Sequence, residues 1–273
     1  MSFSVLLPST GYLGWKYLQL SAGSQIERLS ADPEVKRDEA HFRKRIGSIN
    51  SAEELVADRQ ILKVALGAFG LSEDLPNRYF IKKVLEEGTL SEGALATRLA
   101  DKTYAALSSE FGFGDYDTPR TKLSDFADRI IEKYRAQRFE EAVGEKNESL
   151  RLALNADREL AAIATKSTSA DTKWYSIIGN NAVRTVFETA FGLPTSFGTI
   201  DLDQQLSILK QSSEGLLGSS DPSGFSDEGS RASLIRRFLV LDEIAAFRAT
   251  QAQGGALQML SQTANFMRDL RTS

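Results

Sequence analysis

Apolar residues recur along this chain at three- and four-residue spacing in segment after segment, while strict alternation over the length of a strand is rare. That period gathers apolar side chains on one face of a helix. The chain is therefore read as all-α: a non-repeat multi-helix bundle, with two halves that look related and a C-terminal helix pair after a flexible loop. Its 273 residues are enough to bury a sizeable core.

Three helix ends share one form: Phe69-Gly70-Leu71, Phe111-Gly112-Phe113 and Phe191-Gly192-Leu193. Glycine takes the left-handed conformation past a helix end, and the apolar residue after it folds back on the last turn. The likeness extends backwards, since Val64 to Leu71 lies over Val186 to Leu193. Duplication of one helical unit and independent use of one good stop both account for it, because no regular period of about 20 to 50 residues emerges.

Capping chemistry places the helices. The expected order is a weak helix at Tyr12 to Ser30, a second from Asp32-Pro33 to Ile46, and one from the Ser51-Ala52-Glu53-Glu54 capping box to Phe69. Helices at Pro76 to Glu87, Ser91 to Ala100 and Lys102 to Phe111 precede the longest, Thr121 to Val143, with Leu123, Phe126, Ile130 and Tyr134 on one stripe. Glu148 to Thr165, Thr172 to Phe191 and Leu202 to Leu217 follow. Gly218 to Ser230 is rich in Gly and Ser and reads as a mobile connection. Two last helices, Ala232 to Thr250 and Ala256 to Arg271, are separated by Gly254-Gly255. In outline these are a weakly ordered segment 1–30, a helical domain 31–217 with halves near 31–119 and 120–217, a loop 218–230 and a terminal pair 231–273.

Composition removes most chemistries. No cysteine is present and His41 is the sole histidine, which excludes zinc ribbons, iron–sulfur clusters and any Ser-His-Asp triad built elsewhere. With 33 basic and 37 acidic residues the formal charge is -4, unlike the concentrated basic charge of a dedicated nucleic-acid binder. No stretch reaches the roughly 18 to 20 apolar residues of a membrane span. Met1 to Leu7 lacks the basic start of a cleaved signal, so the expected compartment is the cytoplasm, although polar Ser9 to Ser30 permits a route without a cleaved leader.

Candidate sites are correspondingly few. Spacing indicates no titratable partner for His41, which is read as structural, and Arg43 to Arg45 as a solvated face. Gly112 to Asp117 follows a helix and lacks a closing Glu, so it is a turn rather than a nucleotide or calcium loop. The carboxylate pairs Asp125/Asp128 and Glu140/Glu141 are explained by local ion pairing. Arg231, Arg236 and Arg237 open a helix and are candidate anion ligands, with pairing to Asp227 and Glu228 as the alternative. Leu257, Leu260, Ala264 and Met267 form a seam at 3-4-3 spacing, for the protein's own core or for a partner. No catalytic, cofactor-binding or metal-binding residue is identified.

Several ordered segments carry a resemblance. Ile49 to Asp58, Ala68 to Leu71, Ala96 to Asp101, Val143 to Leu154, Ala190 to Pro194 and Asp201 to Gln205 resemble a bacterial helical family of unknown function encoded among flagellar genes. The likeness covers roughly residues 31 to 217 and implies a helical structural or interaction protein of the flagellar system, with flagellar components as partners and neither catalytic residues nor a cofactor to carry over; self-association is a further option that belongs to the terminal seam. A small-molecule binder or enzyme with a pocket between helices is the competing expectation.

Overall fold

The computed structural model describes the backbone at residues 3–99, 101–194 and 196–272, and the side chains there except at Leu217 and 252–272. Among the described residues there are thirteen α-helices and no strand. They are α1 Gly11–Ser30, α2 Pro33–Arg45, α3 Ala52–Ala57, α4 Arg59–Gly67, α5 Arg78–Glu87, α6 Leu95–Arg98 and α7 Thr103–Phe111. Then come α8 Phe126–Gly144, α9 Glu148–Ala164, α10 Ala170–Gly179, α11 Asn181–Phe191, α12 Leu202–Leu217 and α13 Glu228–Thr272.

The all-helical expectation holds, and so do the glycine stops. Gly70, Gly112 and Gly192 have φ of +71°, +69° and +66°. The Leu71 amide donates to the Leu66 carbonyl at 3.0 Å and Leu193 to Glu188 at 2.8 Å, the long back-bond of a Schellman end. At Gly112 the simpler bond from its own amide to Ser108 closes the helix at 2.8 Å.

Two helices expected to be continuous are each broken by one extended residue. Asp58 has φ -92°, ψ 101° and Asn180 φ -96°, ψ 104°. Each side chain caps the helix that follows, Asp58 accepting from Gln60 and Ile61 and Asn180 from Val183. Capping competes with helix continuation because the side-chain oxygen replaces the carbonyl that would otherwise serve those amides. Asp58 precedes Gly70 by the same number of residues as Asn180 precedes Gly192, and the buried residues Ala52, Leu55, Val56, Ile61 and Val64 match Trp174, Ile177, Ile178, Val183 and Val186. The unit α3–α4 thus recurs as α10–α11.

Other boundaries moved for local reasons. The long helix begins at Phe126 because Thr121 donates to the Ile49 carbonyl at 2.8 Å and Leu123 is extended and exposed, so only Phe126, Ile130 and Tyr134 of the expected stripe are buried. Gly254-Gly255 does not interrupt α13. Glycine costs about 1 kcal/mol in a helix interior, which weakens a helix without ending it. The N-terminal segment holds a full helix, α1, with Trp15 and Leu18 buried. Gln25, itself buried, accepts from the Leu6 amide at 2.8 Å and donates to the Leu6 carbonyl, tying the extended residues ahead of α1 to it.

One continuous core joins the two recurring units. α9 lies at its centre, packed on α1, α8, α10, α11 and α13. The connection Gly218 to Ser230 sends Phe225 into this core, edge-on to Phe187 with centroids 5.6 Å apart. Trp174 donates to the Ser220 carbonyl at 2.9 Å and the buried Lys173 to the Ser223 hydroxyl at 2.6 Å, so a stretch read from composition as mobile is anchored at three points.

Candidate functional site

The break at Asp58 also creates the only hydrogen bond of the His41 ring among the described residues. Asp58 Oδ1 serves the amides of Gln60 and Ile61 at 3.0 and 3.1 Å, while Oδ2 meets His41 Nε2 at 2.8 Å. Burial pushes the Asp58 carboxyl up, but the bond from His41 and the α4 amides outweigh it and hold the carboxyl below its usual range. Sequence spacing gave no hint of this pair because α2 and α4 meet only through tertiary packing.

A carboxyl held low in the folded state contributes stability above its unfolded pKa, and that contribution disappears as pH falls through the folded value. Stability is therefore expected to be insensitive to Asp58 above about pH 4 and to drop below it. Asp58→Asn, which keeps a capping oxygen, should flatten that acid limb in urea titrations between about pH 2 and 7. An unchanged acid slope would show that the carboxylate is not held as the geometry requires.

Beside this pair opens a cleft of about 660 Å³ lined by Arg45, Ser48, Ile49, Glu54, Asp58 and Arg59, with Ala57 completing it. Its two carboxylates are committed to backbone amides. Glu54 accepts from the Asn50 amide at 2.7 Å, one residue beyond the reach-back to Ser51 expected of the capping box, while the Ser51 hydroxyl accepts from the Glu54 amide at 3.2 Å. The cleft thus joins a capping network to two surface arginines.

The three arginines that open α13 do not converge. Arg231 bonds Asp157 Oδ1 at 2.8 Å and the carbonyls of Phe225 and Ser226, Arg236 lies over the Tyr12 ring at 5.5 Å, and Arg237 donates to the Ala190 carbonyl. Asp227 caps α13 through the Ser230 amide at 2.8 Å instead of pairing with them. Their roles are to staple α13 to α9, α1 and α11.

The acidic pairs divide in the same way. Asp125 meets Arg129 at 3.5 Å and Glu141 meets Arg138 at 2.9 Å, both local as expected. Asp128 reaches Arg43 on α2, and buried Glu140 accepts from Arg158 on α9 at 2.8 and 3.2 Å. In the Gly112 to Asp117 turn, Asp115 accepts from the Thr89 hydroxyl at 2.8 Å and the Leu90 amide at 3.0 Å. Among the described residues no group of three or more His, Asp or Glu is placed to hold a metal ion, and no helix is long and apolar enough to cross a membrane.

The most exposed apolar surface on α13 lies where this helix leaves the body. Leu234, Ile235, Phe238 and Leu239 are buried, whereas every residue from Glu243 to Gln251 is exposed, Phe247 by 64% and Ile244 by 41%. Val240 and Tyr12, next to this exit, are respectively exposed and half-buried. The seam Leu257, Leu260, Ala264 and Met267 lies outside the described side chains, although the backbone there is helical.

Residues 68–229 match the model of a family described as a protein of unknown function, DUF1217. The chain belongs to the DUF1217 family. The match starts beyond the Ile49 to Asp58 segment and runs on through the Gly/Ser-rich connection, so the anchored Phe225 lies within the DUF1217 region. A crystal structure of a protein from Agrobacterium tumefaciens shares the fold with a TM-score of 0.72 at 25% identity, covering 89% of this DUF1217 chain and 99% of the other. No curated protein matches the chain. Neither comparison bears on the flagellum.

Proposed function

We propose that this chain is a non-enzymatic structural or interaction protein of the bacterial flagellar system, an assembly component or an accessory factor, that engages its partner through α13. The observation that carries the reading is the run Glu243 to Gln251, which leaves the body as a helix with Ile244 and Phe247 bare to solvent. A lone helix of this length is marginal in water, and apolar side chains on it gain free energy only when another surface covers them. The flagellar setting rests on the resemblance of the ordered segments from Ile49 to Gln205. The competing reading, a ligand-binding or catalytic pocket, draws on the cleft beside Asp58, where both carboxylates already serve backbone amides.

Deleting the gene is expected to impair motility. Complementation with Phe247→Asp should fail while the purified variant melts within about 0.5 kcal/mol of the parent, because the site is exposed. Normal motility in the deletion strain would remove the flagellar assignment, and normal complementation by the variant would remove the role of α13.

A further inference from the structure

The geometry points to a specific occupant for this surface: we propose that the exposed stripe of α13 pairs with α13 of a second copy of the same chain, parallel and in register. The inference rests on the reading of α13 as an interaction helix and names its partner.

Val240, Ile244, Phe247 and Gln251 are spaced 4-3-4, the d, a, d and a positions of a heptad, and all four are exposed. At 3.6 residues per turn this stripe lies on the side of the helix opposite the buried Leu234, Ile235, Phe238 and Leu239. A second helix laid along it in parallel holds its own body on the far side of the seam. The patch is self-complementary and needs only a two-fold axis along the helices.

Charge selects the direction. In this heptad Glu243 stands at g and Arg248 at the following e, the two flanks that a parallel two-stranded coil brings face to face. The two-fold axis makes that pair twice. An antiparallel arrangement would instead set each flank against its own copy, acid beside acid and base beside base. Within its own chain the Glu243 carboxylate lies against Gly11 at the start of α1, and Arg248 pairs with no carboxylate among the described residues. Gln251 at an a position adds register, because sliding one helix past the other would bury its amide against an apolar side chain.

The natural chain has no cysteine, so single introduced thiols report the seam directly. The full chain is expected to sediment as a concentration-dependent dimer. Mild oxidation should join Ile244→Cys into a covalent dimer and leave Ala246→Cys, on the far side of the helix, largely monomeric. Phe247→Asp should raise the dimer dissociation constant about tenfold or more without changing the melting of the body. Glu243→Arg should weaken the dimer, and adding Arg248→Glu should restore it.

A monomer at about 100 μM would overturn the proposal, and so would a dimer that Ile244→Cys fails to cross-link. A monomer whose Phe247→Asp variant still fails to restore motility overturns the self-pairing while α13 remains an interaction helix for a different protein. A cross-linked dimer in cells whose motility does not need the gene upholds the seam and removes the flagellar role.

Discussion

Phe225→Ala is expected to destabilise the protein by about 3 to 5 kcal/mol, the cost of removing a fully buried aromatic side chain and leaving a cavity. Phe225 has no exposed surface and stands edge-on to Phe187, which also meets Trp174 at 5.7 Å. In a chain of this length the loss corresponds to a fall in Tm on the order of 10 °C. The same substitution should release Gly218 to Ser230, making it the first site cut in limited proteolysis, whereas the parent chain resists there. A loss under about 1 kcal/mol with unchanged cleavage would mean that the connection does not depend on its aromatic anchor.

Arg158→Met should cost about as much, roughly 3 to 5 kcal/mol, because it leaves the Glu140 carboxylate buried without its counter-charge. Glu140 is 5% exposed and accepts two bonds from Arg158, with only the 3.3 Å bond from Asn155 remaining after the substitution. Adding Glu140→Leu should recover most of the loss, since a well-packed apolar pair of similar volume removes the desolvation cost of the charges. Denaturant titration of the two single variants and the double variant measures the coupling. Additive losses would show that the two groups do not act as a pair.

The surface pairs supply a contrast. Arg129–Asp125 and Lys83–Glu87 each join an exposed group, Asp125 or Lys83, to a half-buried one a single turn away, and solvent at the exposed partner leaves each pair worth a few tenths of a kcal/mol at most. These pairs can be read from sequence spacing because one helix brings them together. Glu140–Arg158 and His41–Asp58 span two helices each, and their energetic weight comes from burial and packing that spacing does not encode.

What the sequence determined by itself is local. The three- and four-residue period makes the chain helical, and left-handed glycines end α4, α7 and α11. Caps at Asp32, Ser51 and Asp201 start the helices that follow them. These features arise within one or two turns of backbone, where a residue's own conformational preference decides. Tertiary structure decided the rest. Asp58 and Asn180 break helices whose apolar period continues across the break, because capping the next helix and, for Asp58, meeting His41 compensate for the interruption. The Gly/Ser composition of 218–230 indicates a weak element, yet burial of Phe225 against α11 ties it to the core, and one well-placed aromatic outweighs the composition around it. The three arginines at the start of α13 are neighbours in sequence, but at 3.6 residues per turn their side chains point to different helices, so only packing assigns their partners.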